Sequence, residues 1–214
     1  MNDYPKYLQD IIAEFSKLPG IGYKTAVRLS MYVINKNLED VMKFSDAIKN
    51  CKINLKYCEK CGNFSEERFC FICSDKSRDV SIICVVQDVK DIYAFEKTRN
   101  FNGVYHVLHG VISPSKGIGP DSLNIDNLIK RIKEEKIQEI ILSTSPTLEG
   151  EATSVYISKL LFGENLKITR LAYGVPLGSD LEYVDEITLS KALDFRQKIW
   201  LISIDKEGKD LIIL

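Results

Sequence analysis

The stretch CEKCGNFSEERFCFIC, Cys58 to Cys73, separates a helical texture before it from an alternating one after it, and its own reading decides how the 214-residue chain is organised. Four of the six cysteines stand here as two C-x2-C pairs with eight residues between them: Cys58 and Cys61, then Cys70 and Cys73. Each C-x2-C turn lets two thiolates converge on one ion, and four thiolates close a tetrahedral shell suited to Zn2+. Apart from Phe64, Phe69 and Phe71 the intervening residues are polar, so a bound metal must hold the segment folded. A pair of disulfides and an iron–sulfur cluster are the alternatives. An intracellular chain disfavours disulfides, and the spacing with its closed ligand set favours one structural zinc per subunit. Cys51 and Cys84, outside the array, read as ordinary buried thiols.

On the N-terminal side, Leu8, Ile11, Ile12 and Phe15 mark one face of an amphipathic helix. LPGIG (18–22) breaks it, KTAVRLSMYVIN restarts a helix, and a third runs from Leu38 to about Leu55 behind Asn37 as its cap. In LPGIGYKTAVRLS, Gly20 and Gly22 bring bare backbone N–H groups to a helix start, where the helix dipole favours an anion. Lys24 and Arg28 lie four apart on the helix, and Thr25 adds a hydroxyl. The pattern resembles a helix-hairpin-helix motif, which grips DNA phosphates without reading bases. A plain helical hairpin with solvated charges is the competing reading. Residues 1–57 carry nine Lys/Arg against six Asp/Glu, whereas the remainder carries 20 against 24, a distribution consistent with a local nucleic-acid contact.

On the C-terminal side, VSIICVVQD (80–88) and EIILSTS (139–145) read as buried strands. LNIDNLIKRIKEEK (123–136) and TSVYISKLLF (153–162) read as helices, and LKITRLAYG (166–174) as a further strand. Strands alternating with helices predict a mostly parallel α/β sheet with flanking helices. CVVQDVKDIYAFEKT (84–98) resembles the first strand and helix of a Toprim domain, whose enzymes hold Mg2+ with a glutamate after the first strand and an Asp-x-Asp pair after a later one. Here those places hold Gln87 and Ser143 to Pro146, and an amide and hydroxyls substitute poorly for charged oxygens around Mg2+. Asp88, Asp91, Glu96, Glu149 and Glu151 remain nearby, so a weak metal site stays open. ILSTSPTLEGEAT (141–153) therefore reads as the remnant of a metal site, with Glu149 and Glu151 in a turn as an acidic contact for a basic partner protein; the alternative is that one of these carboxylates caps the helix that follows.

The composition, 45% apolar and 28% charged with a net charge of −1, is that of a globular domain. With no apolar run near the roughly 20 residues needed to span a membrane and no secretory h-region, the expected location is cytoplasmic. His106 and His109 read as structural or interface residues. SKGIGP (115–120) lacks the spacing of a P-loop, and LEYVDE (181–186) has no Walker A partner.

Helix-hairpin-helix, four-cysteine finger and Toprim block in this order resemble the RecR family of bacterial recombination mediators. The likeness continues through YHVLHGVISPSKGIGPDSL (105–123), LEGEATSVYISKLL (148–161) and TRLAYGVPLGSDLEYVDEITLSKAL (169–193). It implies four parts: a DNA-binding helix-hairpin-helix region at 1–56, a four-cysteine zinc finger at 57–78, a Toprim-like domain at 79–174 and a C-terminal segment at 175–214. It also implies a non-enzymatic role in recombinational DNA repair, as a homo-oligomer (dimer or tetrameric ring) clamped on DNA. RecO- and RecF-type partners then help it load recombinase onto single strands. Gly20, Gly22, Lys24, Thr25 and Arg28 become sequence-independent DNA contacts, the four cysteines a structural zinc site, and Glu149 with Glu151 the place where a RecO-type protein docks. The enzymatic alternative is a Mg2+-dependent Toprim phosphotransferase, nuclease or primase-like. The tail QKIWLISIDKEGKDLIIL (197–214) is longer than usual for the family, and its two apolar runs predict a terminal hairpin.

Overall fold

The computed structural model describes residues 4–197, 201–204 and 210–213. Two compact units emerge, one of Met1–Glu59 with Phe64–Cys70 and one of Lys60–Asn63 with Phe71–Leu214.

The first unit holds α1 (Lys6–Ser16), α2 (Tyr23–Ile34) and α3 (Leu38–Asn54), as the periodicity predicts. Helices α1 and α2 pack on each other, with Ile12 and Ala26 buried between them. Ser30 is also buried, and its hydroxyl returns to the Ala26 carbonyl at 2.8 Å. Asn37 caps α3 through a bond from the Asp40 N–H at 2.8 Å. A short ribbon follows, β1 (Lys56–Tyr57) antiparallel to β2 (Phe64–Ser65).

The second unit begins with α4 (Phe71–Ser74) and is built on a parallel four-stranded sheet. Its strands are β3 (Asp79–Val86), β4 (Gly103–Val107), β5 (Glu139–Ser143) and β6 (Lys167–Arg170), in the order β4-β3-β5-β6. Connecting helices are α5 (Val89–Thr98), α6 (Ile125–Glu134) and α7 (Leu148–Leu160), with α8 (Glu186–Asp194) after β6. The strands alternate between two layers. Ile83, Val85, Val104, Ile140 and Leu142 join Leu128 and Ile132 of α6 and Ile157 of α7 in one core. Tyr105 turns to the opposite layer, where it meets Phe95 of α5 at 6.2 Å between ring centroids and donates its hydroxyl to Glu96. Because β3 lies between the strands that follow it, the winding reverses between β3 and β5. The carboxyl ends of those two strands form the crevice where open α/β sheets place their ligands.

Three expectations need correction. Helix α7 starts at Leu148, five residues ahead of the Thr153 expected from the apolar spacing, because the Thr147 hydroxyl accepts from the Gly150 N–H at 3.2 Å and caps it. Glu149 and Glu151 therefore stand in the first helical turn rather than in a turn before the helix. The strand expected over 166–174 is confined to Lys167–Arg170. Cys84 is buried as expected, but Cys51 is exposed, because α3 contributes no buried residue to the first unit. In the tail, β7 (Leu201–Ile204) pairs antiparallel with β8 (Asp210–Ile213), in keeping with the terminal hairpin. Its expected members Ile199, Trp200 and Leu214 and the polar segment 205–209 lie outside the described residues.

Candidate zinc centre and nucleic-acid interface

The cysteine ligands come from two turns. Cys58 leaves β1, and Cys61 closes the first turn, where the Asn63 N–H points at its sulfur at 3.4 Å. Gly62 in that turn has φ 75°, and a Cβ there would come within 2.8 Å of the His109 ring and 3.3 Å of the Val107 carbonyl. Only glycine fits. Cys70 precedes α4 and Cys73 lies within it. The ligand atoms of Cys58, Cys61, Cys70 and Cys73 all lie within 4.8 Å of one another, and the first three are buried. Four sulfurs gathered around one point suit Zn2+ in the closed tetrahedral arrangement of a structural site. The Cys61 carbonyl accepts from the Val107 N–H at 2.8 Å, which ties this turn to the end of β4.

The histidines serve that junction. His106 is fully buried, and its Nε2–H donates to the Asn124 carbonyl at 2.7 Å. Burial pushes its pKa down to about 4, so the ring is neutral near pH 7. The Asn124 amide in turn donates to the Val107 carbonyl at 3.0 Å. Asn124 is a supporting residue the sequence did not disclose, since it lies inside the helix expected over 123–136, whereas α6 starts at Ile125.

The glycine turn between α1 and α2 has Gly20 at φ 79°, a left-handed value that favours glycine, and closes with the Ile21 N–H on the Leu18 carbonyl at 3.1 Å. Gly22 is the N-cap of α2 and brings no side chain to its N–H groups. A Cβ at Gly20 or Gly22 would meet nothing within 4 Å, so this backbone is open to approach. Lys24 and Arg28 are exposed and Thr25 half-buried in the first turns of the same helix. Bare amides, a helix N-terminus and two cations on one short segment are what a phosphate needs.

At the strand ends of the sheet, the polar groups are already paired with one another. The Gln87 side-chain carbonyl accepts from the Ser145 N–H at 3.1 Å, and the Cys84 thiol donates to the Ser143 hydroxyl at 3.2 Å. Thr144 donates to the Gly150 carbonyl at 2.8 Å and meets the Ser154 hydroxyl at 2.9 Å. Asp88 and Asp91 form a reciprocal cap on α5: Asp88 accepts from the Lys90 N–H at 3.1 Å, and Asp91 from the Asp88 N–H at 3.0 Å. Glu96 faces Arg78 and Tyr105. Of the acids the sequence placed here, Glu149 is half-buried at the start of α7. Glu151 is bound by Arg170 and Tyr173, with Lys191 at 3.6 Å. Burial pushes the Glu151 carboxyl upward, but the Tyr173 and Arg170 hydrogen bonds and the two cations outweigh it and hold the group below the usual range. These groups do not assemble the three-acid set a Toprim Mg2+ site requires.

Comparison with known families gives four matches. The RecR helix-hairpin-helix model matches residues 8–52, and the RecR four-cysteine zinc finger model matches residues 55–75. A Toprim domain model matches residues 81–172, and the RecR C-terminal model matches residues 174–197. The four matches follow one another in a single order along the chain, and they coincide with the glycine turn, the cysteine cluster and the parallel sheet, so this protein belongs to the RecR family of recombination mediators.

Proposed function

We propose that this protein is a non-enzymatic, DNA-clamping mediator that acts with RecO- and RecF-type proteins to load recombinase onto single-stranded DNA. The observation that carries the reading is the contrast between two parts of the chain. The glycine turn leaves backbone amides and the cations Lys24 and Arg28 open to a phosphate, whereas the strand ends of the sheet are closed by the Gln87–Ser145 bond and its neighbours. Gly20, Gly22, Lys24, Thr25 and Arg28 are the DNA contacts, made without reading sequence. The modest charge of one hairpin means that several subunits act together, as a dimer or a tetrameric ring. The functional parts are 1–56, 57–78, 79–174 and 175–214, and the protein works in the cytoplasm, associated with the nucleoid when on DNA.

Partner docking is assigned to the acidic start of α7. Glu149 offers its carboxylate to a basic surface, while Glu151 holds the turn by its bonds to Arg170 and Tyr173. No helix among the described residues is long and apolar enough to cross a membrane. Native mass measurement with and without DNA tests the proposal. The expected species is a closed oligomer that acquires one DNA molecule as a unit. A monomer binding DNA with one-to-one stoichiometry at every concentration argues against it.

A further inference from the structure

Tyr23, the first residue of α2, sits between Gly22 and Lys24 and is 60% exposed. Among the described residues no side chain hydrogen-bonds to it or stacks on it. Exposed aromatic residues are common on this surface, and what sets Tyr23 apart is its place directly between Gly22 and Lys24 at the open glycine turn. The space over Gly20 and Gly22 is open, and Tyr23 is the next residue along the chain from Gly22. In a duplex the base faces are already stacked on one another and offer the ring nothing. In a single strand they are free, and stacking on an aromatic side chain is the sequence-tolerant way proteins hold them. Lys24 and Arg28, on the neighbouring face of the same helix, supply the phosphate contact that positions such a strand.

We propose that Tyr23 is a base-stacking residue that makes the hairpin prefer unpaired over paired DNA. The proposal rests on the hairpin being the DNA contact, and the experiment separates the two. Binding of the full chain is measured to an oligodeoxythymidylate, to an abasic strand of the same length and to a duplex. Tyr23→Ala should weaken binding to the oligodeoxythymidylate about tenfold, within the range for loss of one base–aromatic stack, and leave the abasic strand and the duplex unchanged. Tyr23→Phe should keep wild-type affinity for all three, because the ring and not the hydroxyl does the stacking. Unchanged thermal unfolding of both variants is expected from an exposed side chain. Equal loss on all three ligands, or none on the oligodeoxythymidylate, overturns the stacking role. Lys24→Ala with Arg28→Ala should weaken all three ligands; if it weakens none, the hairpin reading fails instead.

Discussion

The side-chain carbonyl of Gln87, just past β3, accepts a hydrogen bond from the backbone N–H of Ser145, just past β5, at 3.1 Å. These two strand ends bracket the point where the sheet reverses its winding, so the bond lies where a Toprim enzyme keeps its metal. An amide that ties one strand end to the next is an architectural use of a catalytic position. Gln87→Leu should leave the Ser145 N–H without an acceptor and lower stability by about 1–3 kcal/mol in urea unfolding. Gln87→Glu keeps an acceptor and should stay near wild type. Millimolar Mg2+ should not move the wild-type unfolding midpoint, and a clear rise would reveal a metal site.

The cysteine cluster carries its own test. Metal analysis of purified protein should find about one zinc per chain, held by Cys58, Cys61, Cys70 and Cys73. Cys61→Ala should lower the unfolding temperature, because it removes one of the four thiolates that would hold the ion and frees the turn whose Cys61 backbone carbonyl accepts from the Val107 N–H. Fully reduced protein that is folded and metal-free would contradict the assignment.

Glu96 sets a pH dependence whose sign is fixed. The Arg78 hydrogen bond holds its carboxyl below the ordinary range against the opposing effect of burial, and the Tyr105 hydroxyl adds to the lowering. A depressed carboxylate contributes stability above its unfolded pKa, roughly 4.3, and loses it as pH falls through the lower folded value. Wild-type stability should therefore decline more steeply than that of Glu96→Gln below about pH 4.3. Parallel declines would show that Arg78 and Glu96 do not act as a pair.

Glu149 and Glu151 should separate on mutation. Glu151→Ala leaves Arg170 and Tyr173 without their acceptor and should reduce stability. Glu149→Ala should leave fold, zinc and DNA binding intact while weakening association with a basic RecO-type partner, more at low than at high salt. If only Glu151→Ala affects the partner, and Glu149→Ala does not, the docking assignment moves to the Arg170 side of the turn.

The sequence disclosed what is local or periodic. The helical stripes of α1 and α2, the Asn37 cap, the C-x2-C pairs and the apolar runs of β3 and β5 each signal themselves within a few residues. What escaped depends on residues far apart in the chain. Glu151 looked like free acidic surface because Arg170 and Lys191, which neutralise it, come 19 and 40 residues later. The start of α7 was obscured because Gly150 and Pro146 look like turn residues. In the structure Gly150 serves close packing, since a Cβ there would strike the Ser145 carbonyl. Asn124, which donates to the Val107 carbonyl at the end of β4, escaped in the same way, whereas His106, read as structural or interface, is buried against the Asn124 carbonyl.

The central claim, that the protein encircles DNA instead of acting on it, is tested most directly by topology. Protein is bound to a covalently closed DNA circle and challenged with high salt, then the circle is cut once and the challenge repeated. Phosphate contacts alone dissociate as salt rises whatever the shape of the DNA, whereas a closed ring cannot leave a circle without opening. The account predicts that a salt-resistant fraction stays on the closed circle and is lost once the circle is linearised. Equal loss from circular and linear DNA, or cutting of the circle by the protein itself in Mg2+, would contradict it.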